Sequence, residues 1–188
     1  MFFLRKPDRA HLARLLSADE TNPFSYAAVG GTQGDPPKGY NIDRNRILIG
    51  HGLDQFKAAR AAIEDWKMFD LGWIELFPKR PLVQVGTTVA VVVRHFGFWS
   101  VNISRIVYMI DETSIYGFAY GTLQCHSEEG EERFLVEHDQ NTDEVWYDLQ
   151  AFSKPKHPLA RMAYPISRHL QKRFARESLA AMKRTVTR

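Results

Sequence analysis

Residues 117–134 read GFAYGTLQCHSEEGEERF. The stretch joins an aromatic, glycine-rich strand to a polar turn carrying His126, then to a second strand that opens on Glu128, Glu129, Glu131 and Glu132. In that second strand Glu132, Phe134 and Val136 share one side, and Glu131, Arg133, Leu135 and Glu137 share the other, because successive side chains leave a strand from opposite faces. Two such runs joined by a short polar turn make an antiparallel hairpin.

The same alternation extends outward from it. Val83–His95 places Val83, Val85, Thr87, Val89, Val91 and Val93 on one side, and Trp99–Asp111 alternates through Val101, Ile103, Val107 and Met109. Ile115–Gln124, Glu131–Asp139 and Val145–Ser153 follow, each after a short polar connection. Such β-branched and aromatic density suits a sheet. Tyr40–Ile49 is a further strand, with Tyr40, Ile42, Arg44, Arg46 and Leu48 on one parity. Helical spacing takes over elsewhere. Phe56, Ala59, Ile63, Trp66 and Phe69 mark an amphipathic helix over 53–69, and a short helix with Pro7 at its start occupies the first twenty residues. At the end of the chain Leu159, Ala163, Ile166, Leu170, Phe174, Leu179 and Met182 form one apolar stripe. Pro165 within it predicts a short helix before a long one, or a kink.

A run of antiparallel strands with one apolar face needs a cover, and the long terminal helix supplies it. The expected class is α+β: a curved antiparallel sheet of about six or seven strands wrapped on a long C-terminal helix. The organisation is one domain, 1–188, with residues 1–39 as a helix-and-loop extension and 40–188 as the core. This element order resembles the helix-grip arrangement of START-type lipid-transfer and pollen-allergen-like domains. Such a resemblance implies a cavity between sheet and helix, while fold alone does not fix function.

The motif carries a second, more specific resemblance. Gly117–Phe134, Val145-Trp146-Tyr147, Ala151-Phe152-Ser153 and Gln171-Lys172-Arg173-Phe174 resemble the family of domain of unknown function nineteen-ninety. Tyr26, Val29-Gly30, Gly39-Tyr40 and Trp66 fit the same family, so the resemblance covers nearly the whole chain. The chain departs from the pattern where Gln124-Cys125 stands for Pro-Gly and Ser127 for a proline, which loosens the turn. The resemblance implies a fold and assigns no catalytic residue.

Composition bounds the remaining choices. The single cysteine, Cys125, excludes an internal disulfide framework. Only the three apolar residues Phe2, Phe3 and Leu4 stand between Met1 and the basic Arg5 and Lys6, fewer than a signal-peptide core, and the longest apolar run, Val89–Val93, is far below spanning length. The expectation is a soluble, cytoplasmic protein with no membrane span. The net charge of +3 is segregated: residues 154–188 carry +9 and residues 1–153 carry −6. A basic helix lying over its own acidic sheet explains this more simply than an anionic partner. Nucleic acid is disfavoured because no stacking aromatics interleave with Arg161, Arg168, Lys172, Arg173, Arg176, Lys183 and Arg184.

The candidate chemistry centres on the hairpin. If Phe134 and Val136 face the cavity, Glu132 faces it too, and a carboxylate there needs a partner. Tyr120, Arg94 and Arg105 on neighbouring strands could supply one. The leading reading is a cavity for a small, partly apolar ligand, lipid-like or aromatic. Phe118, Tyr120, Phe134 and Trp146 would form its wall, with Glu132 and Arg94 or Arg105 orienting a polar group. The alternative is an enzyme in the same cavity, with Glu132 or His126 as general acid or base and Tyr120 as hydrogen-bond donor. A third reading is an interaction module using the basic helix. His126 with its neighbouring glutamates lacks the second histidine or cysteine at fixed spacing that a metal site brings, so neither metal nor cofactor is expected. Cys125 beside His126 has no identifiable oxyanion donor or orienting residue. Val29–Gly34 lacks the lysine of a phosphate loop and reads as a loop, in the role of a lid over the cavity mouth.

Overall fold

The computed structural model describes residues 1–156 and 164–187. In chain order the elements are β1 (Phe2–Phe3), α1 (Arg9–Asp19), β2 (Asn41–His51), α2 (Leu53–Glu64), β3 (Ile74–Phe77), β4 (Thr88–Arg94), β5 (Trp99–Asp111), β6 (Ile115–Thr122), β7 (Glu128–Asp139), β8 (Glu144–Pro155) and α3 (Tyr164–Val186). The strands form one eight-stranded antiparallel sheet in the order β2-β8-β7-β6-β5-β4-β3, with β1 added against β5. The expected curved sheet with a long C-terminal helix is the observed architecture. Alternation marks six of the strands. β1 and β3 are two and four residues long, too short for a period of two to register.

The sheet divides the apolar residues into two groups. On the concave side Trp66, Phe69, Phe118, Phe134, Val136 and Tyr147 pack beneath α2 and α3. On the convex side Leu12 of α1 packs with Ala90, Val92, Val101, Ile103 and Leu123. Asp8 starts α1, its carboxylate accepting from the His11 amide at 2.7 Å. Two glycines of the hairpin motif answer to packing. A Cβ on Gly117 would lie 2.1 Å from the Phe134 carbonyl, and one on Gly121 would lie 2.1 Å from the Tyr26 hydroxyl.

Several expectations need correction. The helix expected over 53–69 ends at Glu64. Trp66 adopts a left-handed backbone at φ 56°, and a 3-10 turn, Lys67–Phe69, carries the spacing onward. The turn is fixed by Trp66, whose indole N–H donates to the Pro81 carbonyl at 2.9 Å. The strand expected from Val83 begins at Thr88, and Val85 is exposed. On β2 the parity of Ile42, Arg44 and Arg46 faces outward, and Asn41, Asp43, Asn45 and Ile47 face α3. Pro165 lies in the first turn of α3, where its missing N–H costs nothing, and the short helix expected before it falls outside the described residues. Ile166 is exposed rather than part of the stripe. Leu159, Ala163 and Arg161 lie outside the described residues.

The largest correction concerns the segment after α1. Residues Val29–Gly34 lie on the convex face and do not cover the cavity. Glu131 collects them: its carboxylate accepts from the Tyr26 hydroxyl at 2.7 Å, the Gly30 amide at 2.7 Å, the Thr32 amide at 2.9 Å and the Thr32 hydroxyl. Tyr108 hydrogen-bonds the same Thr32 hydroxyl, and Arg133 donates to the Thr32 carbonyl at 3.1 Å.

Candidate functional site

Between the sheet and α3 lies a cavity of about 890 Å³. It exists because α3 packs chiefly on β2, α2 and the 67–69 turn, and less on β8. The helix thus stands off from the β4–β5 side of the sheet. Phe69, Trp73, Val91, Leu149 and Phe174 form much of the apolar wall, and Glu132, Tyr120, His126, Glu128 and Asp43 bring polar groups to it.

Glu132 and Tyr120 are direct cross-strand partners on β7 and β6. The tyrosine hydroxyl donates to the carboxylate at 2.8 Å. Burial pushes the Glu132 carboxyl up to about 7. The Tyr120 hydrogen bond opposes the shift, and the negative charges of Asp43 and Glu128 add to it. The Tyr120 hydroxyl is itself held well above its ordinary range, first by burial and then by Glu132. Near neutral pH the pair therefore exchanges a proton on the carboxyl, not on the phenol.

Glu128 and Asp43 are tied to the first turns of α3. Arg168 grips Asp43 through two parallel contacts of 2.5 and 2.7 Å and donates to the Gln171 side-chain oxygen at 2.7 Å. Gln171 in turn donates to Glu128 and, at 3.1 Å, to the Ser153 hydroxyl. Burial raises the Glu128 carboxyl, with Ser153, Arg168 and Gln171 opposing. Sequence reasoning missed Asp43 because it followed the wrong parity of β2. The usable signal was Ile47, which shares a face with Asn41, Asp43 and Asn45.

His126 also lines the cavity. Its Nδ1 accepts the Glu128 amide at 3.0 Å, which puts the proton of the neutral ring on Nε2. Burial drives the imidazole down to about 3, so it stays neutral at physiological pH and is a weak base. Cys125 is half-buried, and burial followed by Asp19 raises its thiol, the opposite of an activated nucleophile. Among the described residues no three His, Cys, Asp or Glu side chains are grouped to hold a metal ion.

The remaining predicted wall and partner residues fall elsewhere. Phe118 and Phe134 face α3 but are fully buried in a cluster with Trp66 and Phe69, with ring centroids 4.7 to 5.4 Å apart, and do not line the cavity. Trp146 is on the convex face, where Arg46 stacks over it at 4.9 Å. Its neighbour Tyr147 takes the inward position and hydrogen-bonds Ser178 at 3.0 Å. Arg94 is exposed at the end of β4. Arg105 reaches the carbonyls of Asp19 and Glu20 and stacks over Phe24, away from Glu132. Among the described residues no arginine meets Glu132, and the tyrosine alone hydrogen-bonds it. On α3, Arg168 and Arg173 have acidic partners, Asp43 and Glu177. Lys172, Arg176, Lys183 and Arg184 have none among the described residues and are exposed. No described helix is long and apolar enough to cross a membrane.

Solved structures resemble this fold, and other proteins resemble this sequence. A hypothetical protein of Helicobacter pylori superposes with a TM-score of 0.57 at 16% identity, covering 86% of this chain and 95% of its own. Norcoclaurine synthase of Thalictrum flavum reaches 0.50 at 10% identity, covering 79% and 94%. At such identities the likeness concerns the helix-grip fold alone. Sequence relatives are nearer. A UPF0548 protein of Deinococcus radiodurans is 38% identical over 189 residues, 94% of each chain. A UPF0548 protein of Dictyostelium discoideum is 33% identical over 207 residues, 99% of this chain and 96% of the relative. The family model described as Domain of unknown function (DUF1990) matches residues 25–181. That span runs from the loop clasped by Glu131 through the hairpin to the α3 wall of the cavity, and the chain belongs to that family.

Proposed function

We propose that this protein binds a small, partly apolar molecule in the cavity between sheet and α3. The observation that carries the reading is the Glu132–Tyr120 pair set in an otherwise largely apolar wall inside about 890 Å³, a volume within the range of small-molecule sites. An apolar body fits against Phe69, Trp73, Leu149 and Phe174, and one polar group reaches the pair. With its carboxyl near 7, Glu132 offers a proton at acidic pH and accepts one at alkaline pH. It can therefore pair with a hydroxyl, a carbonyl or an amine.

The test is native mass spectrometry of the purified protein set against the same sample after denaturation. A reproducible extra mass lost on unfolding supports an occupied site, and its value narrows the ligand. If no mass is found and a library of apolar small molecules produces no thermal shift, the reading fails.

A second reading rests on the same carboxyl. A general acid or base works best with its pKa near the operating pH, and Glu132 meets that condition beside a hydrogen-bond donor. Turnover of a co-purified ligand that disappears in Glu132→Gln, with binding retained, would favour catalysis over carriage.

A further inference from the structure

Six described residues line the cavity and are also exposed to solvent: Phe2, Lys172, Arg176, Lys183, Arg184 and Thr187. They form its rim. Four are cations and none is an acid. The carboxylates that reach the same cavity, Asp43, Glu128 and Glu132, are all partly buried. Charge is thus sorted by depth, with negative groups inside and positive groups at the opening.

The two sets differ in how they are matched. Asp43 and Glu128 are held by Arg168 and Gln171, and Glu132 by Tyr120. The four rim cations make no ion pair and no side-chain hydrogen bond among the described residues. Nor does the nearest acid of α3 serve them, because Glu177 is engaged by Arg173 and by the Trp73 indole. From Gln171 to Lys183 the helix rises about 18 Å at 1.5 Å per residue, so the far end of the rim is well removed from the inner carboxylates.

We propose that the ligand is an amphipathic anion. Its apolar body lies in the cavity, and a phosphate, carboxylate or sulfonate is held at the rim by Lys172, Arg176, Lys183 and Arg184. The inner carboxylates repel an anionic head and the rim attracts one, which sets a single orientation. The inward end is uncharged and meets Glu132 and Tyr120. This inference rests on the reading of the cavity as a ligand site.

The experiment titrates the full chain with decyl phosphate, below its micellar concentration, and separately with decanol. Trp73, in the cavity wall, reports by fluorescence, and calorimetry confirms. Decyl phosphate is expected to bind about tenfold or more tighter than decanol, a preference that shrinks at about 0.5 M NaCl as the charges are screened. The double variant Arg176→Gln, Lys183→Gln changes only exposed side chains. It should lose most of that preference while decanol affinity stays unchanged. Equal binding of the two probes to the wild type, or a preference intact in the double variant, overturns the anion assignment and leaves the cavity reading standing. If neither probe binds, both fail. Sedimentation with phosphatidylglycerol vesicles separates the two sources of such an anion. Co-sedimentation that depends on Arg176 and Lys183 points to a lipid surface, and binding of the monomer alone points to a free ligand.

Discussion

Glu131 and Glu132 are chemically identical neighbours that the sheet sends to opposite faces, where they meet opposite conditions. On the convex face Glu131 is almost fully buried and accepts from four donors supplied by Tyr26, Gly30 and Thr32. On the concave face Glu132 has one donor among the described residues, Tyr120, and a cavity in front of it. A carboxylate whose acceptor positions are filled by its own chain is committed to structure. One left with open positions beside an apolar space is available to something else. The hairpin holds both arrangements in two adjacent residues.

The comparison breaks most visibly at Glu131. Replacing it with Ala strands two backbone amides and two hydroxyls, and the expected loss is on the order of 4 kcal/mol, read from urea unfolding. Amides of residues 21–40 should lose hydrogen-exchange protection before those of the sheet. A loss under about 1 kcal/mol would show that Glu131 is not the clasp.

Glu132 should behave in the reverse sense. Its folded carboxyl, near 7, lies above the unfolded value of 4.5, so the folded state holds the proton more tightly. Below pH 4.5 both states are protonated and nothing is lost. As pH rises toward 7 the wild type loses stability, reaching roughly 3 kcal/mol at 1.36 kcal/mol per unit. Glu132→Gln removes that loss. The variant should match wild type at pH 4 and exceed it at pH 8, and parallel pH curves would contradict the assignment.

The two tyrosines sharpen the contrast at smaller scale. Tyr26→Phe removes one of four donors from a buried carboxylate, and the expected cost is about 1–2 kcal/mol. Tyr120→Phe removes the one donor among the described residues that opposes the shift at Glu132, so the carboxyl should titrate higher, as a carbon-13 NMR titration would read. Stability at pH 5 should change by less than in Tyr26→Phe.

Much of this was legible in the sequence where periodicity is strong and long. The 117–134 hairpin, the long central strands and α3 follow from alternation and from 3.6-residue spacing, and the inward face of Glu132 follows from Phe134 and Val136. What escaped did so for identifiable reasons. Trp146, expected in the wall, is on the convex face. Tyr147, one residue on, is the inward group, and only the pairing of Val136 with Tyr147 fixes that parity. Arg94 and Arg105 lie on the right strands and reach the wrong places, since strand neighbourhood does not determine where a long side chain ends. The loop at 29–34 carries no periodicity, so nothing in it says which face of the sheet it crosses. Its partner, Glu131, is about a hundred positions away.

That separation has a consequence for how the chain assembles. The hydrogen bonds from Tyr26, Gly30 and Thr32 to Glu131 span 99 to 105 residues, and Thr32 also needs Tyr108 from another strand. Closing so long a segment is entropically costly, and the surface that receives the loop does not exist until β5, β6, β7 and β8 have paired. The loop is therefore a late arrival in folding, docking onto a finished sheet rather than nucleating it. Protease resistance within residues 21–40 would then serve as a clock that starts only when the far half of the molecule is complete.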